Sequence, residues 1–327
     1  MVSQLVSMGI KTMNTQTSKV GIIIINLNSY EDTSRCISAL HESSYSNTEL
    51  ILVDNGSIDR SGERLNVEFH PDVYLRFEEN IGSTGGRNAG MKRAIDDGCD
   101  YVLLLDDDSI VTASFLDPLV EKLDTTASIA AVTGKIYTPA RDKSGRANII
   151  WYAGSERKWH TWFNHRGMNK EDKGQYDVGT FVVAMPACLM MMRSTILKEI
   201  GLFSDDYFVY WEEADWCARA LKAGYQCYFE PQSTIIHNFK SNIPGRETEF
   251  YNYLQFRNAL VFNALHNSFL KKIQFVLTLP VLLAHRTLRS VKVKNFSGIR
   301  ASLDGIVDYF RGFRGNVGLV ERGILQK

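Results

Sequence analysis

The chain of 327 residues has no excess of either charge, with Lys plus Arg and Asp plus Glu at 37 each. A dedicated nucleic-acid binder is usually basic, so that class is disfavoured. Cysteine is scarce. Cys36, Cys99, Cys188, Cys217 and Cys227 are odd in number and scattered, and no CxxC pair occurs. Neither a disulfide framework nor a zinc site is suggested, and a reducing cytoplasm fits. Long apolar runs are missing too. A spanning helix takes about 20 apolar residues, whereas the apolar centre of "FLKKIQFVLTLPVLLAHRTLRSVKVK" is only twelve, 273–284, with Gln274 inside and a break at Pro280. Residues 1–18 lack an apolar core and a small-residue cleavage site, and so read as a mobile leader. The glycine fingerprints for phosphates are absent as well. No G-x-G-x-x-G follows the first apolar run and no Gly-Lys-Ser/Thr loop appears, which disfavours a nicotinamide dehydrogenase and a P-loop NTPase.

What is present is an alternation. "KVGIIIINLNS", "TELILVDNGS", "DVYLRFEEN" and "DYVLLLDDDS" are apolar runs rich in strand formers, each closed by polar turn residues. Helix-like stretches intervene and follow, notably "YEDTSRCISALHES", "TGGRNAGMKRAIDDG" and "ASFLDPLVEKLDT". The order predicts an α/β fold, a mostly parallel open sheet with helices on both faces. In such sheets ligands bind outside the carboxyl ends of the strands. Those ends carry Asn26 and Asn28, then Asp54 and Asn55, then Asp106, Asp107 and Asp108, so all should share one rim. From about 130 to 185 the pattern loosens into what reads as a long functional loop. "ACLMMMRSTILKEIGLF" then reads as strand and helix, "FVYWEEADWCARALKAGYQ" as turn and helix, and "CYFEPQSTIIHNF" as strand. Beyond about residue 246 the chain turns helical, with basic residues interspersed.

The acidic clusters carry the chemistry. One Asp after a strand is an ordinary turn or helix cap. Three in a row repel one another unless a cation offsets them. Asp106 and Asp108 can converge on one ion while Asp107 points elsewhere, and hard oxygen donors suit Mg²⁺ or Mn²⁺. The glycine-rich helix entry in "EENIGSTGGRNAGMKRA" lets backbone N–H groups approach a phosphate. Glu212, Glu213 and Asp215 complement a helix N-terminus. Their aromatic neighbours also predict burial, which raises a carboxyl pKa towards the range of a general base. His237, after "STIIH", is either a structural side chain or a metal ligand.

"VGIIIINLNSYEDTSRCISAL", "ELILVDNGSIDRS", "ENIGSTGGRNAGMKRA", "YVLLLDDDS" and "GLFSDDYFVYWEEADWCARALKAGY" stand in the order seen in family 2 glycosyltransferases, inverting enzymes with a GT-A fold. The resemblance is strongest to rhamnosyltransferase-like enzymes of bacterial O-antigen or exopolysaccharide assembly. It implies a catalytic domain over 19–245 and a helical extension over 246–327. It implies a dTDP- or UDP-sugar donor and a glycan or lipid-linked saccharide acceptor. Asp54 would bond the pyrimidine base, with Asn26, Asn28 and Asn55 beside it. Asn80, Gly82, Gly86 and Asn88 would line the nucleotide and diphosphate region. Asp106 and Asp108 would be the DxD pair, Asp106 reaching the ribose or the metal and Asp108 holding the metal, with His237 as a further metal ligand. Glu213 matches the catalytic base and Glu212 is its rival. Two departures stand out. The usual Glu-Asp pair is Glu-Glu here, and Ala184-Met185-Pro186-Ala187 replaces a Thr-Gly or Ser-Gly near the acceptor.

Two alternatives to a transferase are a non-catalytic nucleotide-sugar-binding module and a sugar-nucleotide nucleotidyltransferase. The latter should carry a basic glycine-rich loop after the first strand, where this chain has "NLNSYEDTS". The segment 269–294 reads either as a buried packing helix or as an interfacial element on an anionic inner leaflet, through Lys271, Lys272, Arg286, Arg289, Lys292 and Lys294.

Overall fold

The computed structural model describes residues 17–139, 148–156, 163–238, 249–292 and 296–324. Most of the expected leader, 1–16, lies outside these. Strand β1 (Val20–Asn26) leads to helix α1 (Tyr30–His41), β2 (Thr48–Asn55) to α2 (Ser61–Phe69), and β3 (Val73–Phe77) to α3 (Gly82–Asp96). Strand β4 (Tyr101–Asp106) passes through the short β5 (Ser109–Val111) to α4 (Asp117–Thr125). Strands β6 (Ile129–Tyr137), β7 (Ile150–Tyr152), β8 (Ser155–Glu156), β9 (Asn164–His165), β10 (Thr180–Val182) and β11 (Leu189–Arg193) follow. Then come α5 (Ser194–Ile200), α6 (Glu212–Lys222) and β12 (Gln226–His237). Helices α7 (Glu249–His266), α8 (Phe269–Lys292), α9 (Ser297–Phe310) and α10 (Val317–Glu321) complete the described chain.

The main sheet runs β10-β12-β6-β11-β4-β1-β2-β3. Strand β1 is parallel to both neighbours, β2 and β4, and its isoleucines Ile22, Ile23 and Ile24 are buried. The β-branched run is therefore explained by burial on both faces. Strand β11 is antiparallel to β4 and β6, while β6 and β12 are parallel. From β1 the chain winds outward to β2 and β3, then crosses back to β4 on the other side. Such a reversal leaves a crevice at the strand ends. Asn26 pairs with Asp54 and Ile25 with Asp106, so the three polar strand ends share one rim, as expected.

Two expectations about elements need correction. The stretch from 130 is not a loosened loop; it opens with β6, one of the most buried strands. Lys135 within it is only 2% exposed and is ion-paired with Asp172 at 2.8 Å and with Asp177. A buried lysine partnered only by residues far along the chain hides a strand from local pattern reading. Helix α2 was also unread, because "SGERLNVEF" is polar and short.

The C-terminal helices are not a loose appendage. Helix α7 packs against α9 and buries Tyr253, Leu254 and Phe262. Among the described residues, no helix is long and apolar enough to cross a membrane.

Candidate active site

A cavity of about 630 Å³ opens at the β1/β4 reversal. That volume suits a ligand of nucleotide size. Asn55, Asn80, Gly82, Asp106, Asp107, Glu212, Glu213 and His237 all contribute to its wall. All of these but Asp107 were expected in one site from the sequence, and they come from five separate stretches of chain.

Several expected site residues lie behind the wall instead. Asp54 is 1% exposed; its Oδ1 accepts from the Ser57 N–H at 3.0 Å and its Oδ2 from the Tyr74 hydroxyl at 3.1 Å. A Cβ at Gly62 would sit 2.1 Å from Asp54 Oδ2, so α2 can pass over this carboxylate only because Gly62 has no side chain. Asn26 is buried, donating to the Ser57 and Ser61 hydroxyls at 2.9 and 2.8 Å. Asn28 holds the backbone of Ile58 and Asp59 through its Oδ1. These side chains brace the rim loop, while Asn55 reaches the cavity. Asn88 exchanges two hydrogen bonds with the backbone of Phe203, and Gly86 packs against Ile25; neither lines the cavity.

At the end of β2, Asn55 Nδ2 donates to Asn80 Oδ1 at 3.1 Å and to the Gly82 carbonyl at 3.1 Å. Gly82 has φ +83°, and a Cβ there would meet Phe208 at 2.5 Å, so only glycine fits this helix entry.

The three aspartates divide differently from the sequence expectation. Asp107, expected to point away, lines the cavity, and Asp108 does not. The cause is β5, which pairs Ser109 with His237 and bonds the Asn238 N–H to the Asp108 carbonyl at 2.8 Å. That ladder turns Asp108 towards His237, 3.0 Å from its Nε2. Asp106 Oδ2 lies 3.5 Å from the same nitrogen. Burial, with Asp108 and Asp106 close by, pushes the Asp107 carboxyl up to about 7, against a hydrogen bond from Ser29. Burial would also raise Asp106, but Arg87 and His237 more than offset it and hold this carboxyl well below the usual range. Burial works to lower His237; Cys188, Asp106 and Asp108 outweigh it and raise the imidazole well above its ordinary value.

Arg87 is the residue that sequence reasoning missed. It sits inside "GGRNAG" on α3, where an arginine reads as a solvated helix face. Instead its Nη2 donates to Asp106 Oδ1 at 2.7 Å and its Nη1 to Glu212 Oε1 at 2.8 Å. One guanidinium thus bridges the two acidic motifs.

The acids of α6 have three different fates. Glu212, 1% exposed, is held by Arg87; burial raises its carboxyl, and the guanidinium works against that. Asp215 is tied to Arg219 at 2.9 Å and to His266 at 2.7 Å, which pins α6 to α7. Glu213 faces the cavity, and its Oε2 is buried without a hydrogen-bond partner among the described residues. Burial and the Glu212 charge push Glu213 up to about 8. The turn before α6 is strained: Tyr210 and Trp211 have φ of +69° and +78°. Asn258 on α7 donates to the carbonyls of Val209 and Tyr210 at 3.0 and 2.8 Å, and Trp211 Nε1 donates to Gln255 at 3.2 Å.

The donor chemistry fits a divalent cation. Ligating atoms of Asp106, Cys188 and His237 lie within 4.8 Å of one another, the one such group found among the described residues. Asp108 is outside this group, although it was expected to be the principal ligand.

A glycine-braced nucleotide-sized crevice, acids at the end of β4 and a second acid pair on α6 narrow the choice of family. The family model for glycosyl transferase family 2 matches residues 21–201, more than half of the chain. The chain belongs to glycosyl transferase family 2. It is thereby a glycosyltransferase, and the expectation from the sequence motifs is met. Low-salt glycan biosynthesis hexosyltransferase Agl10 of Haloferax volcanii is 25% identical over 278 residues, 84% of this transferase and 85% of that protein. Poly-beta-1,6-N-acetyl-D-glucosamine synthase of Staphylococcus epidermidis is 26% identical over 150 residues, 44% of this chain. The match covers only 35% of that synthase, so this transferase spans about a third of its length. A crystal structure of GalNAc-T7 with UDP, GalNAc and Mn²⁺ aligns at a TM-score of 0.56 and 14% identity, covering 81% of this chain and 58% of that one. This likeness shows the GT-A type of fold, with its helical C-terminal region.

Proposed function

We propose that this transferase moves a sugar from a nucleoside diphosphate donor to a hydroxyl of a glycan or lipid-linked acceptor, with inversion, in the building of a surface polysaccharide. A dTDP- or UDP-sugar, dTDP-rhamnose among them, is the donor class that the sequence resemblance favours. The observation that carries the reading is the cavity itself, whose lining includes Glu213, Asp106 and His237. The glycan-building relatives support the product class.

In this reading Asn55, Asn80 and Gly82 seat the nucleotide, and Asp106 with His237 would hold Mg²⁺ or Mn²⁺. The cation supplies Lewis-acid charge for the leaving diphosphate. Glu213 takes the proton from the acceptor hydroxyl as it attacks, and a single displacement inverts the anomeric centre. Arg87 keeps Glu212 paired, and Glu213 has no ion pair among the described residues. Trp151, Phe163 and Tyr251 in the remaining wall offer apolar faces to the acceptor.

The test is a melting screen of the purified full chain against dTDP-, UDP- and GDP-sugars with Mn²⁺ or Mg²⁺, followed by donor turnover. Binding at a hundred times Kd adds about 2.7 kcal/mol to stability, a shift easily read. Stabilisation by one donor class together with cation-dependent release of its diphosphate is expected. Stabilisation without any turnover, unchanged by Glu213→Gln, would instead fit a binding module.

A further inference from the structure

We propose that Cys188 supplies a thiolate ligand to the divalent cation that Asp106 and His237 are placed to hold. The inference rests on reading that pair as the metal site, and it adds a donor that the motifs do not contain. Cys188 is 2% exposed and borders the cavity. Its position follows from the sheet. Leu189 pairs with Leu105 across the antiparallel β11/β4 ladder, so the next step outward sets Cys188 opposite Asp106. The β5/β12 ladder brings His237 to the same place. Three strand ends thus deliver a carboxylate, an imidazole and a sulfur whose ligating atoms lie within 4.8 Å of one another. Donors on strands are held more rigidly than donors on loops.

The other four cysteines are buried as well. Among the described residues, none of them belongs to such a group. A mere core role is therefore not enough to describe Cys188, the one thiol beside a carboxylate and an imidazole at a cavity wall.

The consequence is a choice of metal. Oxygen-only sites suit Mg²⁺, whereas a thiolate and an imidazole favour softer ions such as Zn²⁺ and Co²⁺. On binding, the Cys188 S–H bond breaks as the sulfur–metal bond forms, and the proton passes to solvent. No electrons change hands.

The experiment is titration of the full chain with Co²⁺, read by absorption and needing no sugar transfer. The expected result is a saturable thiolate-to-cobalt charge-transfer band in the near ultraviolet. It should be lost in Cys188→Ser and Cys188→Ala while the weaker visible d–d bands of bound Co²⁺ persist. Loss of the sulfur should weaken Co²⁺ or Zn²⁺ binding at least about tenfold, the lower end of what loss of even an outer-shell partner costs. Mg²⁺ binding should change far less. Visible bands without a charge-transfer band in the unaltered protein overturn the thiolate ligand and leave the Asp106–His237 site standing. A charge-transfer band that survives both substitutions also overturns it, since another sulfur is then bound. No Co²⁺ binding at all overturns both readings. If neither variant folds, absence of the band from the unaltered protein still overturns the proposal, and its presence supports Cys188, the one thiol that stands in a metal-capable group among the described residues.

Discussion

Glu212 and Glu213 are neighbours in sequence, yet among the described residues only Glu212 is ion-paired. Arg87 holds Glu212, and Glu213 is left facing the cavity with its pKa raised to about 8. A general base must be unprotonated to act. The rate should therefore climb with pH, tenfold per unit below the apparent pKa, and level off above it. A bound cation nearby would pull the midpoint below 8. A pH profile of kcat/KM that stays flat from 6 to 9 would contradict this assignment. Glu213→Gln should lower kcat by about 10²- to 10⁴-fold, the usual worth of a positioned acid or base, and leave the donor-induced melting shift in place. At this scale the sequence was a partial guide. Motif spacing marked Glu213, Asp106 and His237, because each ends or begins an element that periodicity reveals. Arg87 and Cys188 stayed hidden. One lies in a helix whose outward face looked solvated, and the other lies in an apolar run where a thiol reads as core. Their meaning comes from partners 125 and 19 residues away for Arg87, and from strand pairing for Cys188.

The element that sets Glu213, the proposed base, is the turn ahead of α6. Two consecutive left-handed residues that are not glycine cost about 1–3 kcal/mol each. Asn258 satisfies the two carbonyls that this turn exposes. Asn258→Ala should destabilise the protein by about 1–3 kcal/mol, the cost of buried groups left unpaired. It should also lower kcat about tenfold while donor KM hardly moves, because Asn55 and Asn80 are held by each other and by the backbone of Ile81 and Gly82. Equal losses in kcat and donor affinity would mean general loosening instead. The regular elements were legible where burial wrote itself into local pattern, as in β1, β2, β4 and α6. The strand β6 was not, because its lysine finds its partners across a long connection. The strained turn was not legible either, since Tyr and Trp are not residues from which a left-handed backbone is inferred.

For the whole molecule, the sequence suggests a division at 245/246. We propose that α7 belongs to the catalytic domain, as Tyr251 and Gln255 line the cavity. A chain ending at 245 should lose donor turnover entirely, whereas removal of α8 alone is a separate matter. Helix α8 turns Phe269, Leu277 and Val281 outward, 75%, 72% and 69% exposed, with Lys271 and Lys272 exposed beside them. The side chains of Arg286, Arg289 and Lys292, and all of Lys294, lie outside the described residues. We propose that this face rests on an anionic lipid surface. The apolar stripe and adjacent lysines complement such a surface, and each basic residue near it is worth about 1 kcal/mol. The full chain should co-sediment with anionic vesicles and not with zwitterionic ones. Lys271→Ala together with Lys272→Ala should weaken that binding about thirty-fold, and Leu277→Asp should abolish it. Equal binding to both vesicle types would remove the charge argument.

The grip of Asn258 on Tyr210 also has a consequence in time. The two are 48 residues apart in the chain. At a synthesis rate of about 5–20 residues per second, the ribosome needs about 2–10 s to bridge that gap. During those seconds the nascent sheet can already hold Asp106 at its strand end, while the turn before Glu213 still lacks the helix that fixes its backbone. The Glu213 side of the crevice is therefore completed last, after the rim formed by β1, β2 and β4.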